Sequence, residues 1–302
     1  GVFRRQRQMC IRDRMCGIAG IHDSKNVSHC KEIIHEMCRT LSHRGPDASG
    51  SCVFPEHGIG LGHTRLAIID LSSAGNQPLV DSSGEYTITF NGEIYNYQDL
   101  RKQLVSSGVL FKTHTDTEVI LEAYKKWGAE CVERLRGMFA FCIFDQKKQL
   151  LFLARDRVGE KPLFYFHSAG RFHFASELKA MFTIPDLPRQ LDRESFEYFL
   201  AYGFVPGDRC IVDGFHKLPP GHALQYDIRT STLRVNSYWQ PPRFCANRAL
   251  GHPEELTERL DELLQQSVRE QLVADVPVGI LLSGGLDSSL VTAIAARVST
   301  RQ

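Results

Sequence analysis

The chain has 302 residues, 42% of them hydrophobic and 24% charged, with a formal net charge of +1. That length suits about two domains with a substantial core, and the near-neutral balance gives no electrostatic case for nucleic acid or an anionic membrane surface as partner. No run approaches the ~18 consecutive apolar residues of a membrane span.

Nine cysteines, at positions 10, 16, 30, 38, 52, 131, 142, 210 and 245, are an odd number without framework spacing. There is no C-x-x-C, so neither a zinc ribbon nor a thioredoxin-type site is indicated. Reduced thiols in the cytoplasm are the simplest reading.

Residues 1–14 are arginine-rich, lack the apolar segment of a secretory signal, and read as a non-native leader or a propeptide. They end at Met15-Cys16-Gly17-Ile18-Ala19-Gly20-Ile21, where a cysteine stands directly behind a plausible start methionine. Loss of Met15 would leave Cys16 with both a thiol and a free α-amine. Their ordinary pKa values, ~8.5 and ~7.7–8.0, let the amine take the thiol proton near neutral pH. With the leader attached, Cys16 has an amide nitrogen, which is not a base. The alternative is a cysteine simply buried in a first strand.

Further along, Tyr86, Ile88 and Phe90 alternate with threonines, predicting a half-buried strand that runs into an Asn91-Gly92 turn. Asn96 is placed to cap a helix bearing Leu100 and Leu104, with Gly108 as its stop. Thr115-Asp116-Thr117-Glu118 has capping-box spacing ahead of a second helix that ends near Gly128. Residues 138–144 and 150–154 read as a hairpin. Pro241, Pro242, Gly251 and Pro253 mark a linker. Beyond it, 254–272 reads as a charged helix, 276–282 as an apolar strand and 288–298 as a helix, the opening of a parallel α/β domain. One such unit cannot bury both faces of a sheet, so the second domain reads as truncated at Gln302. The expected organisation is a leader over 1–14, a strand-rich domain over 15–235, a linker over 236–253 and the start of an α/β domain over 254–302.

Six segments carry the chemistry. They are His43-Arg44-Gly45-Pro46-Asp47, Gly62-His63-Thr64-Arg65-Leu66-Ala67-Ile68-Ile69-Asp70, Phe90-Asn91-Gly92-Glu93-Ile94-Tyr95-Asn96, Thr115-Asp116-Thr117-Glu118, Arg136-Gly137-Met138-Phe139-Ala140-Phe141 and Ser283-Gly284-Gly285-Leu286-Asp287-Ser288-Ser289. In this order, behind Cys16, they resemble the glutamine-hydrolysing asparagine synthetases over residues 15–302. The resemblance implies an α+β class II glutamine amidotransferase domain with the N-terminal-nucleophile (Ntn) hydrolase fold, an αββα sandwich. A truncated parallel α/β nucleotide-binding domain of the ATP-pyrophosphatase type follows it. The implied enzyme is a ligase: Cys16 releases ammonia from glutamine through a thioester, ATP activates aspartate as an adenylate, and ammonia displaces AMP to give asparagine. On that reading the chain is competent at most for the glutaminase half.

Carried over residue by residue, Cys16 is the nucleophile, and the Asn91 side-chain amide with the Gly92 N–H forms the oxyanion hole. Arg65 grips the glutamine α-carboxylate as a planar fork. Glu93 and Asp116 receive the α-ammonium, and Leu66 and Ile69 complete the substrate site with Asn91 and Gly92. Plainer roles stand beside these: a tight turn for Asn91-Gly92, a surface salt bridge for Arg65, and an acid favoured in a first helical turn for Asp116. His43, Arg44 and Asp47 would shape the site, and His63 reads as structural. Leu282, Ser283, Gly284, Gly285, Asp287, Ser288 and Ser289 would hold ATP, with glycines admitting phosphate and serine hydroxyls and a helix N-terminus donating to it. Asp287 would take Mg²⁺. The lysine and spacing of a Walker A loop are absent. The implied partners are glutamine, aspartate and ATP, with no nucleic acid and no membrane, and a homodimer as one option. Two other readings stand: an amidotransferase of this architecture acting on a different carboxylic acid, and a non-catalytic glutamine-binding module.

Overall fold

The computed structural model describes residues 15–23, 29–168, 170–242 and 252–299. The leader, Cys10, Cys245 and Gly251 lie outside the described residues. The chain forms two units, Gly1–Gln240 and Pro241–Gln302.

In the first unit the strands are β1 (Gly17–Asp23), β2 (Ala48–Phe54), β3 (Ile59–Arg65), β4 (Leu79–Val80), β5 (Tyr86–Ile94), β6 (Gly137–Asp145), β7 (Leu150–Arg155), β8 (Phe164–Ser168), β9 (Arg171–Ala175), β10 (Phe215–Lys217), β11 (His222–Asp227) and β12 (Thr232–Ser237). The helices are α1 (Cys30–Thr40), α2 (Tyr97–Ser106), α3 (Asp116–Trp127), α4 (Cys131–Arg134), α5 (Leu178–Met181) and α6 (Arg193–Tyr202). They build two antiparallel six-stranded sheets, ordered β10-β8-β9-β1-β3-β2 and β12-β11-β7-β6-β5-β4.

Three apolar layers show how these stack. The middle one joins Ile18, Ile59, Leu61 and Phe172 of the first sheet to Cys142, Phe144, Leu151 and Leu224 of the second. On the far side of the first sheet, Ala19 and Ile21 pack with Ile34 and Met37 of α1 and Met181 of α5. On the far side of the second, Ile88, Phe90 and Phe141 pack with Leu100 and Leu104 of α2 and Ile120 of α3. The result is helix, sheet, sheet, helix: the αββα sandwich. The strand β1 is buried at every residue because both its faces are covered, with Ile18 turned one way and Ala19 and Ile21 turned on alternate positions toward the helices.

Several local expectations need correction. Asn91-Gly92 is not a turn: both lie inside β5, opposite Ala140 and Phe139, and pairing runs on to Ile94 opposite Gly137. Gly92 reaches φ +151 there, a backbone that admits it to the strand but would strain other residues. Asn96 does precede α2, yet its side chain does not cap it. That amide instead donates to the Arg134 carbonyl at 3.0 Å and accepts from the Arg136 N–H at 2.9 Å, stitching β5 to β6 beyond the ladder. The sheet also extends past the expected linker start, because Asn236 and Ser237 pair with Ala223 and His222. The 138–144 and 150–154 segments pair as expected within β6 and β7, and Thr115 caps α3 by accepting the Glu118 N–H at 3.2 Å.

The second unit contains α7 (Pro253–Gln271) and α8 (Leu286–Val298), joined side to side by Arg297 donating to both oxygens of Asp261. The run 276–282 forms no strand. A strand needs a neighbour for its N–H and C=O groups, and none is present among the described residues of this unit. Val278, Leu281 and Leu282 are exposed in consequence.

Candidate active site

Register creates the site. In the first sheet Gly17 pairs with Thr64, so Cys16, one residue earlier, falls beside Arg65 at the end of β3. The Thr89 hydroxyl donates to the Gly62 carbonyl at 3.0 Å and clips β5 across β3. A cavity of about 290 Å³ opens where these strand ends meet, lined by Cys16, Arg65, Asn91, Gly92, Glu93 and Asp116, with Leu66 and Ile69 on its wall. The structure therefore brings together every residue expected in the glutamine site.

The open edge of β5 explains the arrangement. Residue β4 pairing covers only Thr87 and Ile88; beyond it, alternate N–H groups point off the sheet. The Phe90 N–H is taken by the Gln77 side chain at 2.6 Å and the Ile94 N–H by Asp116 at 3.0 Å. Gly92 stands between them with the same outward phase, so its N–H is the donor left facing the cavity. Its opposite number Phe139 turns its own N–H and C=O the other way, to the Asp156 carboxylate and the Asp156 N–H. Beside Gly92, the Asn91 side chain is wholly buried, and neither its oxygen nor its nitrogen has a partner. A buried amide without partners costs about 1–3 kcal/mol, a cost that a bound ligand oxygen would relieve.

The Cys16 sulfur accepts the Leu66 N–H at 3.3 Å, and its S–H faces the Leu66 carbonyl at 3.6 Å. Burial pushes this thiol up to about 11; the Leu66 hydrogen bond, Arg65 and Lys161 pull it down, and Asp116 adds to the rise. Such a thiol is not ionised near neutral pH and needs a proton acceptor. His63 is not that acceptor: its Nε2 meets the Phe90 carbonyl at 3.0 Å and so carries the proton, and burial lowers its pKa to about 3. His43 is turned outward onto Glu177.

The Arg65 guanidinium is wrapped by its own downstream loop. It donates to the Ser72 carbonyl at 2.7 Å, to Asn76 Oδ1 at 3.0 Å, and to the carbonyls of Ile69 and Asp70. The close fit requires Gly75, where a Cβ would collide with the guanidinium. Arg44 donates to the Cys16 carbonyl at 3.0 Å and to Glu177 at 2.8 Å, while Asp47 accepts the Ala67 N–H at 2.8 Å. Burial raises the Asp116 carboxyl to about 7, opposed by the Ile94 N–H and reinforced by Glu93. Burial also raises Glu93, with Lys161 opposing it.

Three residues here escape sequence reasoning: Gln77, Lys161 and Glu177. Gln77 and Lys161 lie in loops and Glu177 in the short link between β9 and α5, where glutamine, lysine or glutamate ordinarily reads as solvated. Only the neighbouring Pro78, Pro162 and the apolar run after Lys161 hint at burial.

The nucleotide-loop residues have no comparable enclosure. Ser283, Gly284, Gly285, Asp287 and Ser289 are exposed, and the Ser283 and Ser288 hydroxyls bond each other at 2.9 Å. Among the described residues no group of three histidines, cysteines, aspartates or glutamates could hold a metal ion; Asp287 is a single exposed carboxylate in the first turn of α8, and Mg²⁺ held there would take its other ligands from ATP phosphates and water.

Residues 15–239 match the family model described as a glutamine amidotransferase domain. The chain belongs to the glutamine amidotransferase family. Residues 259–302 match a second model, asparagine synthase. Among similar proteins, a putative glutamine-hydrolysing asparagine synthetase 2 of Methanocaldococcus jannaschii is 39% identical over 299 residues, covering 93% of this chain and 56% of that one. Asparagine synthetase 3 of Bacillus subtilis is 41% identical over 287 residues, covering 93% and 45%, and amidase chry2 of Gibberella zeae is 35% identical, covering 94% and 43%. The chain thus spans about half the length of the curated relatives it matches. Among solved structures, the glutamine phosphoribosylpyrophosphate amidotransferase of B. subtilis superposes with a TM-score of 0.53 at 18% identity, covering 94% of this chain and 64% of that one. A second, an allosteric regulatory enzyme of purine biosynthesis, gives 0.53 at 20% identity, covering 75% and 50%. Both show this amidotransferase family's Ntn-type fold. Among the described residues no helix is long and apolar enough to cross a membrane.

Proposed function

We propose that this chain hydrolyses the side-chain amide of glutamine at Cys16, and that the ammonia serves to amidate aspartate at an ATP-dependent site. The carrying observation is the buried, unpartnered Asn91 amide beside the outward Gly92 N–H, in the same cavity as the Cys16 thiol.

The chemistry follows from the positions. The glutamine α-carboxylate is held by Arg65 and its α-ammonium by Asp116 and Glu93, leaving the side-chain amide at Cys16. The thiol gives its proton to the α-amine freed by loss of Met15 as its sulfur attacks the amide carbon. Asn91 and Gly92 receive the oxyanion, each donor being worth about 3–4 kcal/mol in the transition state. Collapse breaks the carbon–nitrogen bond, the protonated α-amine returns its proton to the leaving nitrogen, and ammonia departs. Water then cleaves the thioester to glutamate. At the second site, the aspartate β-carboxylate would attack the ATP α-phosphate, expelling pyrophosphate, and ammonia would displace AMP. The names of the asparagine synthetases among the relatives give asparagine as the product, and aspartate is the acid whose amidation yields it; a different carboxylic acid is the rival, and the intact cavity speaks against a non-catalytic module.

The test compares two preparations by ammonia release. Residues 15–302 with Met15 removed should hydrolyse glutamine, and the chain with 1–14 still attached, verified by mass, should not. Equal turnover by both would exclude the α-amine as base.

A further inference from the structure

Lys161 has no part in the scheme above, yet it is among the most firmly held residues of the cavity wall. Asp156, itself fully buried, accepts the N–H groups of Val158, Gly159 and Glu160 on one carboxylate oxygen and those of Phe139 and Lys161 on the other, at 2.6–3.2 Å. Arg155 donates to the Lys161 carbonyl at 2.7 Å. Both backbone groups of Lys161 are therefore fixed by charged side chains. Its own side chain is 3% exposed and lines the cavity with Cys16 and Glu93. Its ammonium lies on the sulfur of Met15, the residue whose removal frees the α-amine.

The charges facing this point are unbalanced without it. Glu93 on β5 and Asp116 on α3 are placed for a substrate ammonium, and they would stabilise an ammonium at Cys16 equally well. A protonated α-amine cannot accept the thiol proton. Of the other cations, Arg65 is engaged by the loop after β3, and Arg44 by the Cys16 carbonyl and Glu177. Glu160, in the Lys161 loop, adds further negative charge. Burial lowers the Lys161 pKa, and Glu93 and Glu160 oppose that.

Resting on the functional reading above, we propose that Lys161 is a positioning residue for the proton transfer: its ammonium offsets the acidic side chains facing it, Glu93 first, and keeps the freed α-amine of Cys16 unprotonated at neutral pH.

The test is the pH profile of kcat/KM for glutamine, measured on the chain with Met15 removed. In Lys161→Met and Lys161→Gln the acid limb should move to higher pH by about one unit, while Lys161→Arg should leave it in place. An acid limb that stays put in both neutral variants overturns the proposal, as does an equal displacement in Lys161→Arg, which would assign the effect to packing. The parent protein supplies a check that needs no substitution. With Cys16 labelled by ¹⁵N, an α-amine titrating below ~7.7 supports the proposal and one titrating at or above that value overturns it. A parent that releases no ammonia overturns the functional reading, and this inference falls with it; an active parent with an unmoved limb removes this inference alone.

Discussion

Cys16 and Ser283 each stand at one end of an apolar run, but only the first has a sheet behind it among the described residues. Around Cys16 the strand ends are locked in register, so side chains from β3, β5 and α3 arrive at one cavity already buried: Asn91 is 0%, Asp116 5% and Arg65 6% exposed. Around Ser283 the preceding run has no strand neighbour among the described residues, and the Ser283 and Ser288 hydroxyls bond each other. A motif supplies residue types; a site also needs backbone that has nowhere else to go.

The sharpest way to break this contrast is to attack the oxyanion donor. Asn91→Ala should lower kcat by about 10²–10³ with little change in KM, since such a donor acts mainly in the transition state. It should cost little stability, because the amide it removes has no partner in the free protein. Arg65→Ala should raise KM and also loosen the 69–76 loop, detectable as faster amide exchange there. The reverse pattern, KM from Asn91 and kcat from Arg65, would overturn both roles.

Asp116→Asn tests whether the enclosed site trades stability for binding. The folded carboxyl keeps its proton to about pH 7, while an aspartate's ordinary value is 3.8. Between those values the native state binds more protons than the unfolded one, so this group's contribution to stability falls as pH rises. A rise from 3.8 to about 7 corresponds to roughly 4 kcal/mol above that window. The variant should therefore melt higher than the parent at pH 8 and about equally at pH 4, while binding glutamine more weakly. A lower melting temperature at pH 8 would refute the sign.

The smallest expected effect lies in the second unit. Ser283→Ala should leave glutamine hydrolysis unchanged, and residues 15–302 should release no pyrophosphate from ATP with aspartate present. Aspartate-dependent pyrophosphate release would show that the exposed loop is already a working site.

The sequence made part of this legible. Cys16, Arg65, Asn91 and Asp116 each carry a type and a neighbourhood that point to glutamine chemistry, and the structure puts them around one cavity. Thr115 as a cap and the β6–β7 hairpin are local features, decided within a few residues. What local reasoning missed was decided at distance. Asn91-Gly92 favours a turn in isolation, but pairing with β6 holds it in a strand. Asn96 is a good cap by type, yet Arg134 and Arg136 claim its amide. Lys161 reads as a solvated lysine until Asp156 and Arg155 fold its loop inward. The 276–282 run has a strand's composition and lacks the neighbour that would make it one.

The bare edge of β5 has a consequence for how this molecule meets other chains. An unpaired strand edge ordinarily invites a foreign strand to add to the sheet. Here Gln77 and Asp116 occupy the outward N–H groups on either side, so Gly92 offers a single donor rather than a row. One donor cannot set the register of an incoming peptide, but it suits a lone carbonyl oxygen. The same side chains that frame the cavity thus make the edge selective for a small molecule, and inhibitors built as short β-strands should find no purchase where a compact amide does.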